Sequence, residues 1–341
     1  MKVGMYYNNS DVRLEEQPVP VVGDDEILIK VMASGICGSD LLEWYRIKRA
    51  PLVLGHELTG EIVVTGKNID KFKVGDRVFT THHVPCDECY YCLTGHKTAC
   101  EVFQGTNNFS PGGFSQYLKV GGRSINTGTL KLPEDMPYET GTFIEPLATV
   151  VRAFRTIDIK PGESIMVFGA GLAGILFIKL AKVFGAGNIM VSDINEYRME
   201  MAEKAGATFT ISANKDVPKF IEEKIGRLAD KVVISTGALP AAESALKCVD
   251  KGGTVLFFAV SQPGEKIAID FNPYWRDDIS FKTCYGAAPL DNIQALELLR
   301  TGAVSVDDMI THRFKIDDIG DAFKTAAQPD GTLKVIIAPN G

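Results

Sequence analysis

Residues 164–174 read SIMVFGAGLAG, and this stretch determines how the middle of the chain folds. The apolar run before Gly169 predicts a buried strand, and the residues after Gly171 predict a helix. In such a unit the first glycine makes the tight turn, the second lets a pyrophosphate approach, and the third lets helix and strand pack closely. Free N–H groups at the start of the helix favour phosphate binding. The residues expected to contact a dinucleotide here are Gly169, Gly171, Leu172, Ala173 and Gly174.

An acidic residue follows at the distance that a dinucleotide site requires. Asp193 comes directly after the next predicted strand, 19 residues beyond Gly174, and the expected spacing is about 20. A carboxylate at this point hydrogen-bonds the adenosine ribose hydroxyls and repels a 2′-phosphate, which favours NAD over NADP. Arg198 could cover the adenine or could be an exposed helix arginine, and the sequence leaves both interpretations open.

Outward from this stretch, the pattern divides the chain into two parts. Strands predicted at 164–168, 188–192, 231–235 and 254–260 alternate with helices predicted at 172–184 and 196–205. Such alternation is typical of a parallel, doubly wound sheet. The residues before 145 predict mostly β structure, and the tail from 291 predicts two helices and a last strand. We therefore predict an α/β protein in which residues 1–149 and 287–341 form one domain and residues 150–286 the other.

Composition excludes several classes of protein. The 341 residues include 36 Lys+Arg and 43 Asp+Glu, for a net charge of −7 and a pI near 5.4. Nucleic-acid binding draws on a basic surface, so it is not expected. The longest uncharged apolar run, 165–178, is shorter than the about 20 residues of a membrane span. The first residues lack the apolar core of a signal peptide. We expect a cytoplasmic protein that binds neither nucleic acid nor membrane.

Four of the seven cysteines lie close together in the sequence. Cys86, Cys89, Cys92 and Cys100 have two, two and seven residues between them. Thiolates at such spacings can fold round one Zn²⁺, which prefers four tetrahedral ligands. Because the protein fills all four positions, we predict a closed, structural zinc site in a lobe at 86–100. The neighbouring residues His82, His83 and His96 are interpreted as solvated loop histidines.

A second set of metal-binding residue types is dispersed along the chain. Cys37 lies in ICGSD, His56 and Glu57 lie in LGHELTG, and Glu145 lies in IEPLAT. Cysteine, histidine and carboxylate together can hold a zinc ion that keeps an open coordination position. Such an ion serves catalysis as a Lewis acid. The sequence therefore predicts a catalytic zinc site in addition to the structural one.

Taken in order, these motifs resemble those of the zinc-dependent medium-chain dehydrogenases, in the branch of the sorbitol (polyol), threonine and sugar-alcohol-phosphate enzymes. The motifs that carry the resemblance are CGSD at 37–40, GHE at 55–57, GDRV at 75–78, the four-cysteine lobe, GGFSQY at 112–117, IEPLA at 144–148 and GAGLAG at 169–174. The resemblance covers essentially the whole chain. It implies a GroES-like, mostly β catalytic domain, a Rossmann domain that binds NAD, and a homodimer or homotetramer.

The resemblance also implies roles for individual residues. Cys37 and His56 are expected to bind the catalytic zinc. Glu57 and Glu145 are alternatives as a further ligand, or partners that exchange in that role, and the sequence does not decide between them. Asp40 is expected to orient His56. The two remaining roles, proton acceptor for the substrate hydroxyl and packing against the nicotinamide ring, fall to Ser39 and Thr149.

The chain departs from the polyol branch just after CGSD. That branch usually has His or Tyr there, whereas this chain has Leu42, which cannot relay a proton, and Glu43, which either relays a proton, holds a polar substrate group or is simply exposed. The loop 44–51 contains Arg46, Lys48 and Arg49. These side chains form either a solvated charge run or a site for an acidic or phosphorylated substrate.

The resulting hypothesis is an oxidoreductase with one catalytic and one structural Zn²⁺ per chain. It transfers a hydride from a secondary alcohol, a polyol or a sugar derivative, to NAD and gives a ketone. Threonine 3-dehydrogenase and sugar-alcohol-phosphate dehydrogenase are alternatives within the same chemistry. The alternative from another class is a non-catalytic nucleotide or zinc sensor on the same fold.

Overall fold

In the computed structural model, which describes residues 1–341, the stretch 164–174 forms a strand, a tight turn and a helix. The strand Ile165–Phe168 is fully buried, and the helix Leu172–Val183 begins directly after Gly171. Gly169 has a φ of +96°, a left-handed conformation that residues with a Cβ rarely adopt. A Cβ on Gly174 would lie 2.0 Å from the carbonyl oxygen of Gly169. The third glycine is therefore required by the contact between the turn and the helix.

The chain divides into two units. Residues 1–148 and 286–341 form the first unit, and residues 149–285 form the second unit. Each boundary lies one residue from the position predicted from the sequence. No helix in either unit combines the length and the apolar character that crossing a membrane requires.

The amino-terminal part of the first unit is mostly β structure. Its strands are β1 (Lys2–Asn8), β2 (Asp11–Glu16), β3 (Ile27–Gly35), β4 (Leu52–Val53), β5 (Glu57–Thr65), β6 (Arg77–Thr80), β7 (Phe109–Ser110), β8 (Tyr117–Val120) and β9 (Thr129–Lys131). Its helices are α1 (Glu43–Arg46), α2 (Tyr90–Leu93), α3 (Glu101–Gly105), α4 (Tyr138–Gly141) and α5 (Ile144–Ile157), the last of which continues into the second unit.

The second unit is a doubly wound α/β sheet. Its strands are β10 (Ile165–Phe168), β11 (Ile189–Asp193), β12 (Phe209–Ser212), β13 (Ala229–Ile234), β14 (Val249–Phe257) and β15 (Ser280–Thr283). Its helices are α6 (Leu172–Val183), α7 (Glu196–Ala205), α8 (Val217–Ile225), α9 (Leu239–Leu246) and α10 (Phe271–Arg276). All six strands are parallel, in the order β12-β11-β10-β13-β14-β15. The order reverses beside β10, and ligands of such sheets bind at that point.

The carboxyl-terminal segment returns to the first unit. Its elements are α11 (Pro289–Arg300), β16 (Ile310–Lys315), α12 (Ile319–Ala326) and β17 (Lys334–Ala338). Strand β17 pairs with β3 on one side and β16 on the other, in a sheet of order β16-β17-β3-β5-β6-β9 to which β8 and β7 attach through β3. β3 is thus an interior strand, and residues at its end are surrounded by structure on both sides.

Separate apolar cores stabilise these sheets. In the second unit, β10 and β13 contribute Met166, Phe168, Val232 and Ile234, all at most 1% exposed. Strands covered on both faces read as nearly continuous apolar runs, as residues 164–168 do. In the first unit, Phe323 of α12 packs with its ring centroid 5.6 Å from that of Phe114. This contact fastens the returning segment to the amino-terminal part.

The glycine-rich turn yields a test of its packing. Gly174→Ala is expected to lower the free energy of unfolding by about 1–3 kcal/mol, because overpacking costs that much in a filled interior. Gly171→Ala is the matched control, since only the Nη1 atom of Arg198, at 4.0 Å, lies near the added Cβ. Urea unfolding followed by circular dichroism measures both. Equal stability of the two variants would contradict the requirement for glycine at 174.

Candidate active site

Three of the residues predicted to bind the catalytic zinc lie together in the first unit. Cys37 follows β3 and begins a short 3₁₀ turn at 38–41, while His56 and Glu57 stand at the start of β5. The antiparallel pairing of β3 with β5 places Gly35 opposite Glu57. As a result, one ligand atom each from Cys37, His56 and Glu57 lies within 4.8 Å of the others.

These groups are strongly coupled by their charges. Burial disfavours the charged imidazole of His56, but Asp40, Cys37 and Glu145 outweigh it and raise the pKa of His56 to about 9. Burial opposes ionisation of the Cys37 thiol, yet the neighbouring His56 lowers the net pKa of that thiol. Burial raises the pKa of Glu145, whose carboxyl group interacts with both His56 and Asp40. The cluster therefore concentrates anionic ligand groups around one imidazole.

Asp40 lies in the predicted position beside His56. Its side chain is fully buried, and its Oδ1 is 3.5 Å from Nδ1 of His56. Its Oδ2 accepts a hydrogen bond from the backbone N–H of Cys37 at 3.1 Å. The guanidinium of Arg46 approaches Oδ1 at 3.2 Å. Asp40 thus contacts the ring of His56 and the backbone of Cys37, two of the predicted zinc ligands.

Ser39 is held between Cys37 and Arg46. Its hydroxyl group donates to Sγ of Cys37 at 3.3 Å and accepts from Nη2 of Arg46 at 2.9 Å. Arg46 also donates from Nε to the backbone oxygen of Ser39 at 3.0 Å. Arg46 belongs to the basic loop 44–51 of the sequence analysis. The structure brings its guanidinium into direct contact with Ser39, the predicted proton acceptor.

Leu42 and Glu43, the two residues that depart from the polyol pattern, do not contact Ser39 through their side chains as Arg46 does. Leu42 ends the 3₁₀ turn and offers only an apolar side chain. Glu43 is exposed, and its Oε2 accepts a hydrogen bond from the backbone N–H of Asn9 at 3.1 Å. Of the roles considered for Glu43, the structure shows the exposed one.

Lys334 is a site residue that sequence reasoning missed. Its side chain and that of Glu57 are both fully buried and form an ion pair between Nζ and Oε2. Lys334 also donates to the backbone oxygen of Ile36 at 3.3 Å. Burial lowers the pKa of Lys334 to about 8 against the opposing charges of Cys37 and Asp40. No local pattern around residue 334 indicates this role, because it depends on the pairing of β17 with β3.

The donor set fits a zinc ion. Zinc accepts thiolate, imidazole and carboxylate ligands, which are the groups that Cys37, His56 and Glu57 bring together. The Oε1 atom of Glu57 is buried and has no hydrogen-bond partner, although Oε2 is occupied by Lys334. A buried carboxylate oxygen without a partner is costly unless a cation or a donor satisfies it.

The four clustered cysteines also fit zinc. Their sulfur atoms all lie within 4.8 Å of one another, and Sγ of Cys86 is 3.9 Å from that of Cys92 and 3.6 Å from that of Cys100. Tetrahedral ligands at a Zn–S distance of about 2.3 Å are about 3.8 Å apart. A disulfide would require about 2.05 Å, and all seven cysteines are free.

The prediction that His82 and His83 are solvated is wrong, whereas His96 is exposed as predicted. The rings of His82 and His83 lie 3.8 Å apart by centroids, and His82 lies 5.6 Å from the ring of His56. Burial lowers the pKa of His83 to about 4 and that of His82 well below its usual value. Both line a cavity beside His56, because the loop at 81–84 turns inward rather than outward.

The predicted dinucleotide residues lie at the carboxyl edge of the parallel sheet. Asp193 is buried, and its carboxylate accepts from the backbone N–H of Ala170 at 2.6 Å and of Asn195 at 2.9 Å. Arg198 stands over the glycine-rich turn, with Nη1 4.0 Å from the place of a Cβ on Gly171 and with a buried Nε. Thr149 lies in α5, at the first position of the second unit.

Comparison with known proteins agrees with this arrangement. The alcohol dehydrogenase GroES-like domain matches residues 23–133, and the zinc-binding dehydrogenase domain matches residues 173–301. A sorbitol dehydrogenase of Bacillus subtilis (strain 168) is 33% identical over 100% of this chain and 98% of its own length. The chain belongs to the zinc-dependent medium-chain alcohol dehydrogenases.

Two further relatives support membership of this family. An L-threonine 3-dehydrogenase of Shewanella baltica (strain OS155) is 30% identical over 91% of each chain. A solved structure from Sinorhizobium meliloti 1021, bound to NADP, superposes with a TM-score of 0.89 at 26% identity and covers 99% of each chain. As a member of the family, this protein is a zinc-dependent dehydrogenase that acts on CH–OH groups of a small-molecule alcohol with a nicotinamide cofactor.

The buried ion pair of this dehydrogenase can be tested directly. Lys334→Met is expected to lower the free energy of unfolding by about 3–5 kcal/mol, because it leaves the charge of Glu57 buried without a partner. The double variant with Glu57→Gln removes both charges and is expected to recover most of that loss. Urea unfolding in the presence of a chelator separates the effect from metal binding.

Lys324→Met is the control for loss of a lysine charge. Its pair with Asp321 is exposed, so a change below about 0.5 kcal/mol is expected. A Lys334→Met variant as stable as this control would show that the buried pair does not stabilise the first unit.

Proposed function

We propose that this protein oxidises a secondary alcohol of a polyol or sugar derivative to the ketone while NAD⁺ is reduced. The observation that carries the proposal is the group Cys37–His56–Glu57, with an unpartnered oxygen on Glu57 and with Ser39 beside Cys37. The relative named sorbitol dehydrogenase supports a polyol. The relative named threonine 3-dehydrogenase supports the alternative, in which the alcohol is the side chain of an amino acid.

The first unit is proposed to be the catalytic domain and to hold both metal ions. Cys37, His56 and Glu57 bind the catalytic zinc in this proposal, supported by their ligand atoms lying within 4.8 Å. Glu145, whose carboxyl group interacts with His56, is the partner that exchanges with Glu57 in this proposal. The ligands of the structural zinc are Cys86, Cys89, Cys92 and Cys100.

The residues around this centre have distinct tasks in the proposed reaction. When bound, zinc supplies Lewis-acid activation of the substrate oxygen, and the nicotinamide supplies the hydride acceptor. Ser39 accepts the hydroxyl proton of the substrate at its Oγ while its own hydroxyl proton passes outward towards solvent, so that it relays the proton rather than keeping it. Asp40 keeps the ring of His56 in place through Nδ1. Lys334 holds one oxygen of Glu57 and leaves the other free for the metal.

Arg46, and not residue 42, is the polar side chain that contacts Ser39. A histidine near position 42 would move a proton onward, whereas an arginine stays protonated and cannot accept one. Arg46 instead donates to Oγ of Ser39, which fixes the orientation of that hydroxyl group. Because Arg46 also contacts Asp40, one cation orients both the proton acceptor and the carboxylate behind His56.

The second unit is proposed to bind NAD rather than NADP. The turn Gly169–Gly174 and the start of α6 take the pyrophosphate, and Arg198 stands beside this turn. The buried carboxylate of Asp193 takes the adenosine ribose hydroxyls and repels a 2′-phosphate. Thr149 packs against the nicotinamide ring.

The protein is proposed to form a homodimer or homotetramer in the cytoplasm. Strand β15 is the edge of the parallel sheet, and its backbone is open to pairing with a second copy. Phe271 and Trp275 of the adjacent α10 are 60% and 82% exposed, which supports an apolar contact at this edge. Seven free thiols support a reducing compartment.

The proposal is tested by NADH formation from secondary alcohols, followed by absorbance, together with zinc content. The wild-type protein is expected to hold two zinc ions per chain and to oxidise sorbitol or a related substrate. Cys37→Ser is expected to lose one zinc and at least about 10³-fold in activity, since Lewis-acid activation supplies several kcal/mol. Cys248→Ser is the control for loss of a buried thiol away from both clusters. Full turnover by Cys37→Ser would overturn the catalytic zinc assignment.

The cofactor proposal has its own test. Asp193→Asn is expected to lower the preference for NAD over NADP, as the ratio of the two kcat/KM values, by about 10- to 100-fold. Asparagine keeps the size of the side chain and removes the charge that repels the 2′-phosphate. Glu200→Gln, an exposed charge on α7, is the control. An unchanged ratio in Asp193→Asn would remove this carboxylate from the ribose site.

A further inference from the structure

A cavity beside His56 has an unusual set of charges. It is lined only by residues of the first unit, including Arg46, Arg49, His56 and His82, and no aspartate or glutamate lines it. Its volume is about 110 Å³, and one water needs about 10–15 Å³ by such a measure. The cavity therefore has room for a small polar group next to a proposed ligand of the catalytic zinc.

The two arginines that line this cavity differ in whether their guanidinium groups are paired with other groups of the protein. Arg46 is largely buried, and its guanidinium is paired with Asp40 and bonded to Ser39. Arg49 is exposed at the cavity, and no hydrogen bond or ion pair engages its guanidinium. The positive charge at the cavity is therefore uncompensated at Arg49, in a chain whose net charge is −7.

A further unpartnered polar group belongs to another lining residue of the cavity. The Nδ1 atom of His82 is buried and has no hydrogen-bond partner. A buried polar atom without a partner costs free energy unless a ligand or water satisfies it. The imidazole and the guanidinium line one cavity, so a small polar ligand bound there meets both residues.

We propose that the alcohol oxidised by this protein carries an anionic group, a carboxylate or a phosphate, which binds in this cavity at Arg49. The inference rests on the proposed function and narrows its substrate class. The planar guanidinium presents paired N–H donors that match the oxygens of a carboxylate or phosphate. His56 lines the same cavity, so the anionic group and the reacting hydroxyl lie on one small molecule.

The experiment compares sorbitol with two derivatives that differ from it only in this group, and with one amino acid that carries a secondary alcohol. D-Sorbitol, D-gluconate and D-sorbitol 6-phosphate are offered to the zinc-loaded protein with NAD⁺, and L-threonine is a fourth arm. We expect kcat/KM for gluconate or sorbitol 6-phosphate to exceed that for sorbitol by at least about 10-fold. The arm with the higher value identifies whether the anion is a carboxylate or a phosphate.

Three variants connect the preference to the cavity. Arg49→Gln is expected to raise KM for the preferred anionic substrate about 10- to 100-fold, while its effect on sorbitol stays within about 2-fold. Arg49→Lys keeps the charge and is expected to retain part of the preference. Lys48→Gln is the matched control, because this neighbouring lysine is exposed but does not line the cavity.

Binding measurements separate this inference from the proposed function. Calorimetric titration of the protein–NADH complex with D-gluconate and D-sorbitol 6-phosphate is made for the wild type and for Arg49→Gln. If no alcohol is oxidised but anion binding is lost in Arg49→Gln, the proposed function fails and the anion site stands. If sorbitol is preferred, or if Arg49→Gln behaves like Lys48→Gln, the anion site is overturned and the dehydrogenase stands.

Discussion

The ion pair between Glu57 and Lys334 is the contact on which the site in the first unit depends. It joins the start of β5 to the start of β17, on either side of the end of β3. A Cβ on Gly35 would lie 2.4 Å from Cε of Lys334 and 2.6 Å from Oε2 of Glu57. The last residue of β3 must therefore be glycine for the ion pair to fit beside it. Cys37 follows two residues later, and its position is set by this junction.

Much of the fold and of the site is encoded in short patterns. The helix Glu196–Ala205 has the bounds that its periodicity and the following Gly206 predict, because a left-handed glycine stops it. The four-cysteine spacing brings its sulfur atoms together within one loop, where few conformations are available. The glycine-rich turn of 169–174 is likewise local, since its requirements are set by its own backbone.

The rest of the site depends on contacts between residues far apart in the chain. Lys334 is the first residue of a short, otherwise apolar strand, and only the pairing of β17 with β3 buries its side chain beside Glu57. His82 and His83 are interpreted from the sequence as solvated loop histidines, and only tertiary packing brings their rings against His56 and Phe103. Arg46 was visible as a charge, but its bond to Ser39 requires the short helix α1 to fold back over the 3₁₀ turn.

The first unit is discontinuous, and this has a consequence for its synthesis. A ribosome makes β17 only after the whole of the second unit, so the edge of β3 that pairs with β17 stays open while residues 149–285 emerge. Domains generally fold as they are made, from the amino terminus onward. The nascent amino-terminal segment therefore presents an open strand edge to the cell's chaperones until β17 is made. Until then the carboxylate of Glu57 also lacks Lys334, its partner in the folded protein.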